Sequence, residues 1–86
     1  MALTHSPIIG RTYRVTAPEY IPCFPKLGEV PETEIPRGQV LKFVSQYDAG
    51  FWEVEFYDPN NPGTGIKKGL VCDWVTEWLL PIFQRR

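Results

Sequence analysis

Apolar and polar residues alternate over several short stretches of the chain. Within residues 11–17, Tyr13, Val15 and Ala17 fall on one side and Thr12, Arg14 and Thr16 on the other, the period-two pattern of a half-buried strand. Residues 39–47 repeat it, with Leu41 and Phe43 on one face and Val40, Lys42 and Val44 on the opposite face. Phe51–Tyr57 is the cleanest case, setting Trp52, Val54 and Phe56 against Phe51, Glu53, Glu55 and Tyr57. The two glutamates need water, so the Trp52 face is the core face, and Phe51 and Tyr57 are expected on the outside. Asp48-Ala-Gly50 supplies a short turn, residues 58–65 are turn chemistry throughout, and Ile66–Cys72 returns as a strand to complete a hairpin.

Three stretches break the alternation. Residues 18–38 contain Pro18, Pro22, Pro25, Pro31 and Pro36, a density that argues against both helix and central strand. This stretch is also acidic, with Glu19, Glu29, Glu32 and Glu34 against Lys26 and Arg37. It is expected to be a long irregular loop anchored by Tyr20, Ile21, Phe24, Leu27, Val30 and Ile35, and loops of that length in compact domains usually carry function. Residues 73–80 fit two readings. Asp73 caps a single helical turn that stacks Trp74 and Trp78 at i, i+4, or a tight turn at residues 72–74 leads into a strand from Val75; Pro81 ends either one. Residues 1–10 carry no periodicity and are expected to be a flexible terminus ahead of a single domain over residues 11–83.

Composition narrows the class. With 86 residues there is room for one domain with a thin core, and the 14% aromatic content supplies much of the area that such a core can bury. A net charge of −1 gives no global basic field, so nucleic acid is a disfavoured partner, with only Lys67, Lys68, Arg85 and Arg86 as a local basic cluster. No apolar run is long enough to span a membrane, and the first residues lack the basic and apolar regions of a signal peptide, so a cytoplasmic location is expected. Cys23 and Cys72 are read as two small core thiols; with His5 alone they do not form a zinc site, and no cofactor is expected.

The order of elements resembles the SH3-like small β-barrels, over about residues 35–81, and residues carry the likeness as well as order. Pro36-Arg-Gly-Gln-Val-Leu-Lys-Phe-Val44 looks like their glycine-led second strand. Gly50-Phe-Trp-Glu-Val54 looks like their aromatic pair, and Gly69-Leu-Val-Cys72 with Asp73-Trp-Val75 looks like their last strand and turn. The chain departs from the family in lacking the Ala-Leu-Tyr-Asp-Tyr stretch and in having Cys72 where a ligand-contacting proline would stand. The resemblance implies an all-β fold: a small five-stranded SH3-like barrel, with the proline-rich excursion as a long RT-like loop and a short 3₁₀ or helical turn near the C-terminus.

By the same resemblance, Phe51 takes the place of the ligand-stacking tryptophan and Trp74 that of the tyrosine on the 3₁₀ turn. Tyr20 or Phe24 completes an aromatic groove, with Tyr57 a further exposed aromatic. Flat aromatic walls suit a stiff extended peptide, and Glu29, Glu32 and Glu34 beside them would select a basic one. The competing reading is that these aromatics fill a core short of material. Catalysis has little support. Glu53 and Glu55 lie about 7 Å apart on a solvated face, and no nucleophile or phosphate-binding motif is present. The expected role is therefore non-catalytic protein binding. The alternatives are a small accessory or structural subunit or inhibitor in a bacterial or phage assembly, and a nucleic-acid-binding barrel.

Overall fold

The computed structural model describes residues 6–48, 50–57, 63 and 65–82. The fold is all-β. Its strands are β1 (Thr12–Val15), β2 (Ile21–Cys23), β3 (Thr33–Ile35), β4 (Val40–Asp48), β5 (Phe51–Tyr57), β6 (Ile66–Cys72) and β7 (Leu79–Pro81), with a 3₁₀ helix (Asp73–Trp78) between β6 and β7. Antiparallel pairing sets five of them in one sheet, ordered β6-β5-β4-β1-β7, and leaves β2 and β3 as a separate hairpin.

The three alternating stretches and the returning strand Ile66–Cys72 all form strands of the large sheet. Tyr13, Val15, Leu41, Phe43, Trp52, Val54 and Phe56 are buried as their spacing requires. Phe43 sits at the centre, edge-on to Tyr13 at 5.4 Å and to Trp52 at 5.7 Å between ring centroids. β4 serves two neighbours: its first residues pair with β1 and its remainder with β5. Register shifts between Phe43 and Ser45 and between Gln46 and Asp48 mark irregularities that bend such a strand. Pairing does not carry this sheet round into a closed barrel; β6 and β7 are its two edges.

The proline-rich stretch is more ordered than its composition suggests. Ile21 pairs with Ile35, Pro22 with Glu34 and Cys23 with Thr33. A proline is tolerated here because backbone groups alternate in direction along a strand. Pro22 points its nitrogen the same way as Phe24, whose amide turns away from β3 to bond the Leu70 carbonyl at 2.8 Å. The missing donor thus falls on the side that β3 does not use. Ile21, Cys23 and Ile35 enter the common core, so the hairpin covers the Trp52 face of the large sheet. Of the expected loop anchors, Ile21 and Ile35 do this work, whereas Tyr20, Leu27 and Val30 are exposed.

The hairpin is fixed to β6 by reciprocal bonds between Phe24 and Leu70, both 2.8 Å. Gly69 makes the approach possible: a Cβ there would run into the Cys23 thiol and come within 3.3 Å of the Phe24 carbonyl oxygen. Both cysteines are free; Cys23 is buried and Cys72 half-buried.

Residues 73–80 follow neither sequence reading in full. They form the 3₁₀ helix and then enter β7 at Leu79 rather than Val75. Cys72 is the N-cap, with no side-chain capping bond. Asp73 instead accepts a 2.8 Å hydrogen bond from the Trp52 indole, a tertiary contact that holds the turn against β5. Pro81 ends β7 inside the sheet, paired with Tyr13 at an edge where its absent N–H is harmless. At the other end of the chain, Pro7 is buried, the Gly10 amide bonds the Phe43 carbonyl at 2.7 Å, and the Ile8 amide bonds the Tyr13 hydroxyl at 2.8 Å.

Candidate functional site: an aromatic groove

Where β1 leaves the sheet and the 3₁₀ helix comes back to it, Ala17, Pro18, Glu19, Tyr20, Trp74 and Trp78 line a groove of about 240 Å³. Its construction follows from local structure. Thr16 donates its amide to the Trp78 carbonyl at 2.7 Å, tying the start of the excursion to the end of the helix. Pro18 then directs the chain outward, and Tyr20 stands just before the hairpin. Val75 and Leu79 are buried and anchor the helix, which turns Trp74 and Trp78 toward solvent. A 3₁₀ helix has three residues per turn, so the two tryptophans do not stack as they would at i, i+4 on an α-helix. They spread along the groove instead.

Tyr20 is 60% exposed and Trp74 is 45% exposed, so neither is core filler. Exposed aromatics gathered around one groove, with a carboxylate at its side, form a surface able to receive flat or stiff apolar groups. Glu19 supplies the carboxylate.

The seven residues proposed from sequence divide among separate places. Tyr20 and Trp74 meet in this groove. Phe51 is half-buried rather than outside, because Phe24 covers it edge-on at 6.0 Å between centroids. It lies opposite Cys72, two residues before Trp74, and so borders the groove's helix without lining the groove. Tyr57 is exposed but lies on the outer face of the large sheet. Glu29 and Glu34 are exposed on the hairpin layer, and Glu32 pairs with Lys67 at 3.4 Å. Pro18, Glu19 and Trp78 were missed as groove residues. The signal for Trp78 lay in its spacing from Trp74, and it was masked by the choice between helix and strand.

The basic cluster is divided and partly neutralised. Lys67 faces Glu32 and donates to the Thr33 hydroxyl at 3.2 Å, while Lys68 lies 3.7 Å from Glu55. Arg85 and Arg86 lie outside the described residues, as does His5. Among the described residues no cluster of His, Cys, Asp and Glu is arranged to hold a metal ion, and no helix is long and apolar enough to cross a membrane. Burial raises the Cys23 thiol from 9.0 to about 11, with Lys67 pulling it down and Glu32 adding a smaller rise. At neutral pH Cys23 is therefore a protonated, unreactive core group.

Compared with protein-family models, curated proteins and solved structures, the chain has no match.

Proposed function

We propose that the chain is a non-catalytic protein-binding module of SH3-like type, which receives an extended peptide in the groove of Tyr20, Trp74 and Trp78. The observation that carries this reading is the gathering of three solvent-facing aromatics from two different elements around one groove. A small protein with a thin core gains by burying such rings, so leaving them outside costs stability that binding a partner recovers. Rigid aromatic walls favour a polyproline-type segment, whose stiffness lowers the ordering cost of binding. Glu19 beside the groove and Glu29 and Glu34 on the adjoining hairpin bias the choice toward a basic peptide.

The test is a panel of proline-containing peptides, basic and acidic, titrated against the intact protein while tryptophan fluorescence is followed. The basic members should quench or shift Trp74 and Trp78, and Trp74→Ala should weaken binding by roughly ten-fold or more, as a lost interface aromatic does. Trp74→Ala should lower the unfolding midpoint only modestly, because the residue is 45% exposed and lies outside the core cluster. If no peptide perturbs the tryptophans, or if Trp74→Ala and the wild type bind equally, the groove assignment fails.

A further inference from the structure

The outer face of the large sheet and the β2–β3 hairpin differ in their balance of charge. On the outer face of the large sheet, pairing aligns side chains in cross-strand rows. Leu80 lies opposite Arg14, Arg14 opposite Val40, and Tyr57 opposite Ile66. Val40, Tyr57 and Ile66 share an apolar groove of about 250 Å³ with Thr12, Lys42 and Glu55. The next row runs Thr12, Lys42, Glu55, Lys68. Tyr57 is 61% and Ile66 58% exposed, an uncovered apolar strip. Its charged border holds Arg14, Lys42 and Lys68 against Glu55 alone, and that carboxylate is engaged by Lys68. Among the described residues no ion pair engages Arg14 or Lys42.

The hairpin layer on the opposite side is the electrostatic complement. With its flanks it carries Glu19, Glu29, Glu32 and Glu34 against Lys26 and Arg37, and of these acids only Glu32 is paired among the described residues. Between Glu29 and Glu32 it presents Val30, 80% exposed, the most exposed large apolar side chain among the described residues. One side of the molecule thus offers an apolar groove with a basic border, and the other an acidic tip with an apolar point. A two-fold pairing of two outer faces would set cations against cations, which disfavours it.

We infer that the occupant of the outer groove is the hairpin tip of a second copy of this chain, docked head to tail. The tip places Val30 against Tyr57 and Ile66, with Glu29 and Glu34 near Arg14 and Lys42. Within one protomer Val30 is 80% exposed and no hairpin residue lines the groove of Tyr57 and Ile66, so the contact is intermolecular. Such a contact is heterologous, and repeating it gives a ring or an open stack. The small apolar area and exposed charges make it weak and sensitive to salt. The inference uses the outer face of the sheet and does not depend on the aromatic groove.

Sedimentation velocity of the full chain at low salt, from micromolar to millimolar concentration, tests it. The weight-average sedimentation coefficient should rise with concentration and fall when salt is added. Val30→Lys, which places a cation on the tip, and Tyr57→Thr/Ile66→Thr, which strips the groove with β-branched residues suited to a strand, should each remain monomeric. Their equimolar mixture retains one intact tip and one intact groove, so it should form a dimer and nothing larger. Near-UV circular dichroism confirms that each variant is folded, with Val30→Ser and Ile66→Thr in reserve. Trp74→Ala should associate like the wild type, which separates this result from the fate of the peptide-binding reading. A wild type that stays monomeric throughout would overturn the proposal, leaving the face to a foreign acidic partner. Dimerisation of either variant alone, or a mixture that does not associate, would overturn it equally.

Discussion

Gly69 lies where the hairpin meets the sheet. Alanine there would set a methyl group on the Cys23 sulfur and crowd the Phe24 carbonyl oxygen at 3.3 Å. The sulfur has nowhere to go because Cys23 is buried, so Gly69→Ala should destabilise the protein by about 1–3 kcal/mol in urea unfolding. Cys23→Ala removes the sulfur, and adding it to Gly69→Ala should recover part of that loss, making the pair non-additive. Strict additivity would show that the close approach is not the cause. From sequence alone, Gly69 read as part of a strand that resembled a family pattern; only the neighbouring hairpin explains why no side chain fits.

At the scale of elements, legibility follows from where each strand gets its pattern. β1, β4 and β5 were readable because a face in the core and a face in water write period two directly into the residues, whereas β6, which buries Gly69, Leu70 and Val71 in succession, was readable as the return strand after a run of turn residues. β2 and β3 are three residues each, too short for a period to stand out, and prolines obscured them. The 3₁₀ helix was ambiguous because its stability comes from tertiary contacts: the Trp52–Asp73 bond and the burial of Val75. The hairpin carries a pH prediction. Folding raises the Cys23 thiol from 9.0 to about 11, so the folded state holds a proton that the unfolded chain releases. That contribution to stability is fully present below pH 9 and is lost as the pH rises toward 11. Across that window unfolding free energy should fall by up to about 1.4 kcal/mol per pH unit from this group. Cys23→Ala should lack this component, so its stability should decline less steeply between those limits; an identical slope would exclude Cys23 as the source.

At the scale of the whole molecule, the large sheet, the hairpin and the 3₁₀ helix contribute to one cluster of buried residues, from Tyr13 and Ile21 to Trp52 and Val75. None has a core of its own, so unfolding should be a single cooperative step. Tryptophan fluorescence and far-UV circular dichroism should give superimposable urea transitions. An earlier fluorescence transition would mean that the 3₁₀ helix and its tryptophans come away first.

The sequence by itself determined the all-β class, three strands with their inward and outward faces and a fourth returning beside them, the buried aromatics Tyr13, Phe43, Trp52 and Phe56, and the acidity of one proline-rich segment. These are local properties, fixed by alternation and by the need of charged groups for water. Only the tertiary structure decided that this segment forms a hairpin over the core and that the five-stranded sheet stays open. It alone gathered Tyr20, Trp74 and Trp78 in one groove while covering Phe51 with Phe24 and sending Tyr57 to the opposite layer. The reason is that alternation tells each strand which side faces inward but not which other element lies there. That choice is made by contacts between residues far apart in the chain, such as Phe24 with Leu70 and Trp52 with Asp73.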